Sequence, residues 1–191
     1  MTVQIPIARS DIHVHLSPEH IEALFGPGYS LTCLRNLTLP GQFACTETVT
    51  VRGPGGEISG VVVVGPARKR TQVEISVTNG LALGIAPPVR DSGDTEGSPG
   101  CRLIGPAGTV ELESGVIAAR RHVHMHSRDA RRWGLRDGQI VRVQVPGERS
   151  LIFDNVLLRS DDNQALEMHV DFDEGHAAGI SDFQMVDLLL P

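Results

Sequence analysis

The feature that most constrains this chain is a repeated phrase: a short β-branched, apolar run, then glycine or proline. Such runs cover residues 47–51, 58–64, 71–77, 108–112, 139–145 and 151–158. Each is too short for a helix of ordinary length, and 21 glycines and 12 prolines punctuate the chain. Short strands at regular spacing, closed by turns such as Arg52-Gly53-Pro54-Gly55-Gly56 and Asp137-Gly138, point to a barrel or sandwich. Helix content should be low.

Two helix starts stand out. Ser17-Pro18-Glu19 offers an N-cap, a proline at the first helical position and an acid in the first turn, which predicts a helix over 18–25 that stops at Gly26-Pro27-Gly28. Ser127-Arg128-Asp129 starts a second, ending at Gly134, with Trp133 anchoring it to a core. Each helix follows a His-Val-His strand end: His13-Val14-His15 and His122-Val123-His124. A further echo sets Gly53-Pro54-Gly55-Gly56 against Gly105-Pro106-Ala107-Gly108. This internal repeat predicts two similar halves with a site between them. Residues 26–41 and 90–100 read as polar loops, and only Met1 to Gln4 precede the first expected strand.

Bulk properties exclude several classes. The 191 residues suit one domain or two small ones, and 40% apolar with 21% charged residues is ordinary for a globular protein. No apolar run approaches the ~20 residues that span a bilayer, and the N-terminus lacks a signal-peptide pattern. The expected location is cytoplasmic, with no membrane partner. A net charge of −6 with scattered Lys and Arg argues against a nucleic-acid partner. Three cysteines without a CxxC spacing form no disulfide framework and read as buried or idle thiols.

The chemistry lies in the histidines. Residues i and i+2 of a strand share a face, so each His-Val-His puts two imidazoles close enough to share one metal, while Val14 and Val123 face a core. A lone histidine is more often a hydrogen-bonded structural residue; two identical pairs in matching contexts favour metal ligation, for which neutral imidazole suits zinc. Alternation in Gln72-Val73-Glu74-Ile75-Ser76 puts Gln72, Glu74 and Ser76 on one face, where Glu74 is either a further ligand or a solvated strand-face carboxylate. Arg68, after the Gly65-Pro66 turn, is either a guanidinium fork for a tetrahedral oxyanion or part of a basic turn with Lys69 and Arg70. His169 lies in a late strand. His20, on the first helix, His126, a candidate outer donor, and His176, in a loop, carry weaker signals.

Taken in order, the stretches IPIARSDIHVHLSPEHIEALFGPGY, PGQF, ETVTV, GPARKRTQVEIS, LGIAPPVRDSGD, GSPG, ARRHVHMHSRDA, LIFDNVL and ALEMHVD resemble the PduL-type phosphotransacylases (phosphate propanoyltransferases) over nearly the whole chain. The resemblance implies a mainly β fold of two small β-barrel domains with short capping helices and an active site at their interface: 1–11 with 120–191 in one barrel, 12–119 in the other. It implies that His13, His15 and Glu74 hold one zinc, with the thiol of coenzyme A as a further ligand. His122, His124 and His169 would hold a second zinc, Arg68 would bind phosphate, and Ser10 and Arg35 would lie near coenzyme A. The implied reaction is acyl-CoA plus phosphate to acyl phosphate plus CoA, with a propanoyl or acetyl group, and a homo-oligomer is compatible with it. One departure is local. The family reads Ser-Asn-Arg before the first histidine where this chain has Ser10-Asp11-Ile12, so a contact made by that arginine is lost. The short leader also lacks the amphipathic extension that directs some members into microcompartments.

Rival readings remain. Asp11-Ile12-His13-Val14-His15 also fits the opening of a metal-dependent hydrolase on a TIM barrel, but that fold typically needs about 250 residues of strand–helix alternation. A cupin would need Glu19 on the strand of His13 and His15, whereas Ser17-Pro18 starts a helix. A non-catalytic zinc-binding module is the third.

Overall fold

The structure is a computed structural model that describes residues 1–181 and 183–190. Its first strands are β1 (Thr2–Ser10), β2 (His13–His15), β3 (Cys33–Asn36), β4 (Phe43–Arg52), β5 (Glu57–Gly65), β6 (Gln72–Glu74) and β7 (Val89–Arg90). Then come β8 (Cys101–Ile104), β9 (Thr109–Leu112), β10 (Val116–Ala119), β11 (His122–His126), β12 (Ile140–Val145), β13 (Leu151–Asp161), β14 (Glu167–Asp171) and β15 (Gln184–Leu189). Four short helices interrupt them: α1 (Pro18–Phe25), α2 (Val77–Leu83), α3 (Ser127–Arg132) and α4 (Phe172–Ala178). The fold is mainly β.

The chain divides into two compact units: Met1–Ser10, Thr38–Pro40 and Arg120–Pro191 form the first, and Asp11–Leu37 with Gly41–Ala119 the second. In the first, six strands close a barrel in the order β1-β14-β11-β13-β12-β15. Its core is the inward face of those strands, including Ile5, Ile7, Val123, Met125, Leu158, Met168 and Leu188, all fully buried. Trp133 packs against that core just after α3. In the second, a nine-stranded sheet curls in the order β7-β10-β6-β2-β5-β4-β8-β9, with β3 paired to β4. Val14, Leu16, Val63, Val73 and Leu103 fill its core.

The two units share one topology around their histidine strands. In the second unit, β2 runs parallel to β5 and antiparallel to β6, and β6 runs parallel to β10. In the first, β11 runs parallel to β13 and antiparallel to β14, and β14 runs parallel to β1. The helices follow suit. Ser17 caps α1 two residues after His15, and His126 caps α3 two residues after His124. Ser76 and Asp171 close capping boxes at the starts of α2 and α4, and left-handed Gly84 and Gly179 end them.

Several sequence expectations are corrected. The run 71–77 is a strand only over Gln72–Glu74, because Ser76 bonds the backbone of Asn79 and starts α2. His176 lies in α4, not in a loop. The first strand begins at Thr2 rather than after Gln4, and β3 crosses the segment read as a loop at 26–41. The glycine echo does not relate the two units. Its turns are two hairpins of the second unit, closed by Gly53 N–H to Gly56 O and Gly105 N–H to Gly108 O, both 2.9 Å. Each opens with glycine for the same reason: a Cβ at Gly53 would lie 2.2 Å from the Leu83 carbonyl oxygen, and one at Gly105 2.4 Å from that of Leu24. These turns therefore seat directly on the C-terminal ends of α2 and α1.

Candidate metal centres

Strand pairing builds the first cluster. In the β2–β6 register His13 stands opposite Glu74 and His15 opposite Gln72. The Nε2 atoms of His13 and His15 lie 3.5 Å and 3.7 Å from the Glu74 carboxylate oxygens. His13 Nδ1 donates to the Asp11 carbonyl at 2.8 Å, and His15 Nδ1 to that of Val64 at 3.0 Å. A carbonyl can only accept, so each Nδ1 carries the proton and each Nε2 presents a lone pair to the cluster. Burial, then the His13 and Arg68 charges, pushes His15 down to about 3. Burial alone would raise the Glu74 carboxyl, but His13, His15, a Ser92 hydrogen bond and Arg68 outweigh it and hold it at about 2. At neutral pH the cluster thus offers a neutral imidazole and a buried carboxylate.

A polar network surrounds Glu74. Gln72 Nε2 donates to Glu74 Oε1 at 2.5 Å, and Ser92 Oγ donates to the same oxygen at 2.7 Å. Ser92 Oγ accepts from Gln72 Nε2 at 2.9 Å and from Arg68 Nη1 at 3.0 Å, and Gly93 N–H bonds Gln72 Oε1 at 2.7 Å. Arg68 is half-buried, with its backbone N–H held by the Leu16 carbonyl at 2.8 Å, whereas Lys69 and Arg70 are exposed. Arg68 therefore joins the cluster through one hydroxyl, and its two cationic neighbours do not.

The second cluster repeats the plan. In the β11–β14 register His122 stands opposite His169 and His124 opposite Glu167. His122 Nδ1 donates to the carbonyl of Arg120, two residues back, at 2.7 Å, as His13 does to Asp11. Its Nε2 lies 2.8 Å from His124 Nε2. The ring of His169 completes a triangle, 5.2 Å from His122 and 5.0 Å from His124 between centroids. Burial, then His122, His169 and Arg159, drives the His124 pKa down to about 2, and its Nδ1 is buried without a hydrogen-bond partner.

Both groups can hold a metal ion: within each, one ligand atom from every residue lies within 4.8 Å of the others. The donor sets are two imidazoles with a carboxylate and three imidazoles, both suited to zinc. The Nε2 lone pairs of His13, His15 and His122, each fixed by an Nδ1–H bonded to a backbone carbonyl, are what a cation would satisfy. Of the other expected residues, Ser10 ends β1 opposite Asp171 in the first unit, and Arg35 is exposed on β3 in the second. Three buried or half-buried partners carry no functional signal in the sequence: Gln72 reads as a strand-face residue, Ser92 lies in a polar loop, and Glu167 is one acid among many. His126 Nδ1 accepts from Arg128 N–H at 3.0 Å and caps α3.

Two histidine-lined strand ends on a mainly β scaffold can each hold a metal ion, and one of them is joined to an arginine. The family model for phosphate propanoyltransferase matches residues 6–181, so the chain belongs to that family of acyltransferases. A phosphate propanoyltransferase of Thermotoga maritima is 54% identical over 183 residues, 95% of this chain and 87% of the relative. One from Rhodobacter capsulatus is 50% identical over 95% of this chain and 85% of its own length. One from Listeria monocytogenes is 47% identical over 92% and 82%. Among the described residues no helix is long and apolar enough to cross a membrane.

Proposed function

We propose that this chain is a two-zinc phosphate acyltransferase that interconverts propanoyl-CoA plus phosphate with propanoyl phosphate plus CoA, accepting acetyl-CoA as well. The observation that carries it is the Arg68–Ser92–Glu74 chain, which links an anion-binding guanidinium to a metal-competent cluster. Arg68 orients the phosphate dianion and offsets charge that builds in the transition state. Glu74, His13 and His15 hold one zinc; His122, His124 and His169 hold the other. Bound zinc supplies Lewis acidity toward the thiol sulfur and the phosphate oxygens. A phosphate oxygen bonds to the acyl carbon, the C–S bond breaks, and sulfur leaves with the electron pair. Burial raises the thiol of Cys45 to about 11 and that of Cys101 to about 12, so both stay protonated and are poor nucleophiles. Ser10 and Arg35 contact coenzyme A. Its thioesters and acyl phosphates are intracellular metabolites, so the reading carries a cytoplasmic location.

The test is thiol release from propanoyl-CoA and acetyl-CoA, started by phosphate, with acyl phosphate trapped as its hydroxamate. Phosphate-dependent release with stoichiometric acyl phosphate is expected. Release without phosphate would mean a hydrolase, and zinc binding without any release would mean a non-catalytic module.

A further inference from the structure

The shared topology of the units pairs their residues one to one. His13 corresponds to His122, His15 to His124, Glu74 to His169 and Gln72 to Glu167, because each occupies the same register position between matching strands. At the third ligand position the units differ: a carboxylate in one, an imidazole in the other. Two residues earlier they differ again, in the opposite sense: an amide in one, a carboxylate in the other.

The two exchanges compensate. Where the ligand is Glu74, an acceptor, its neighbour Gln72 donates to it at 2.5 Å. Where the ligand is His169, a possible donor, its neighbour Glu167 accepts from Nε2 at 2.6 Å. Both neighbours are almost fully buried, Gln72 at 2% exposure and Glu167 at 4%. Neither is a solvated strand-face residue, and a buried carboxylate is costly unless it is bonded and charge-balanced. Thr38 supplies a second bond, donating from Oγ1 to Glu167 Oε1 at 2.9 Å, and Thr38–Pro40 belongs to the same unit.

We infer that Glu167 is a positioning residue for the His122, His124 and His169 centre: it fixes the ring and tautomer of His169 and sets a carboxylate beside the three imidazoles. A hydrogen on Nε2 leaves the Nδ1 lone pair of His169 to ligate, and a carboxylate on the far nitrogen makes that lone pair a stronger donor. Thr38 orients the carboxylate. The inference rests on the reading that a metal binds at this cluster.

The test is metal affinity, by competition with a chromophoric chelator, in the wild type, Glu167→Gln and Glu167→Leu. The wild type should show two tight sites. Gln keeps an acceptor but not the charge and should weaken one site by about 10-fold; Leu removes both and should weaken it by about 100-fold, the range for lost outer partners. The other site should be unchanged, and Thr38→Val should have a smaller effect of the same sign. Cobalt(II) substitution separates positioning from ligation. The d–d bands should shift with their intensity kept in Glu167→Gln, whereas a changed coordination number would make Glu167 a ligand and overturn the inference. Two tight sites of unchanged affinity in both variants would also overturn it. If wild type and His122→Ala bind equal amounts of metal, the metal reading of this cluster falls with it.

Discussion

Arg68 donates from Nη1 to the hydroxyl of Ser92 at 3.0 Å. The same hydroxyl passes its own hydrogen to Glu74, so one small side chain couples the guanidinium to a carboxylate of the first cluster. Ser92→Ala should cut that coupling while Gln72 keeps its bond to Glu74. The kcat/KM for phosphate should fall by about 10- to 100-fold, the scale for a lost outer hydrogen-bond partner, chiefly through a higher KM for phosphate. An unchanged phosphate KM in steady-state kinetics would remove Ser92 from the site.

Arg68 itself should matter far more than its neighbours. Arg68→Ala is expected to lower phosphate-dependent turnover by on the order of 100-fold or more, as for losing a charge-stabilising donor. Lys69→Ala, which removes the same charge from an exposed position, should cost only a few-fold. Zinc content should survive both. Equal, small effects would reduce the cluster of cations to a solvated turn.

Metal content should respond unit by unit, because every ligand of a cluster lies within one compact unit. The wild type purified without chelator is expected to carry about two zinc ions, from typically three protein ligands each. His13→Ala and His122→Ala should each carry about one, and the double variant almost none. Elemental analysis decides it, and a wild-type content below one ion per chain would end the two-centre reading.

Acid stability should report Glu47. Burial would raise its pKa, but hydrogen bonds from Thr32 and from the Tyr29 hydroxyl, at 2.9–3.1 Å, outweigh that and leave it lowered. A lowered folded value means that Glu47 contributes stability above its unfolded pKa of about 4.3. That contribution is lost as the pH falls through the folded value. Urea melts of the wild type should therefore weaken more steeply below about pH 4.5 than those of Glu47→Gln. At neutral pH the variant should be less stable by about 1–3 kcal/mol, the cost of leaving a buried group with ill-matched partners. Parallel pH dependence of the two proteins would contradict the assignment.

What was legible in the sequence is what periodicity encodes. His13 and His15, or His122 and His124, share a face because a strand has period two, and Val14 and Val123 are fully buried on the other face, as that period requires. The bend at Ser76 was not legible, since Thr71 to Val77 is β-branched enough to read as one strand. Only the reciprocal bonds of Ser76 and Asn79 turn it into α2. Gln72, Ser92 and Glu167 were hidden for another reason. A polar side chain looks the same in a sequence whether it faces water or a buried ligand, and only register tells them apart. The same holds for the glycine echo, whose four-residue pattern records contact with a helix end, not kinship between the units.

The pairing of β1 with both β14 and β15 sets an order of events on the ribosome. Thr2 meets Leu189, and Ile7 meets Met168, so the earliest strand of the barrel waits for the latest. At roughly 5–20 residues per second, the wait is about 10–35 s. Asp11–Leu37 and Gly41–Ala119, by contrast, have emerged well before the barrel can close, and their histidine–glutamate cluster can form with them. The nascent chain thus displays a finished half beside a bare strand whose Ile5 and Ile7 have no core to enter. Long-range pairing of this kind is slow and leaves edges exposed. Chaperone contact and aggregation during synthesis should accordingly concentrate on the first ten residues.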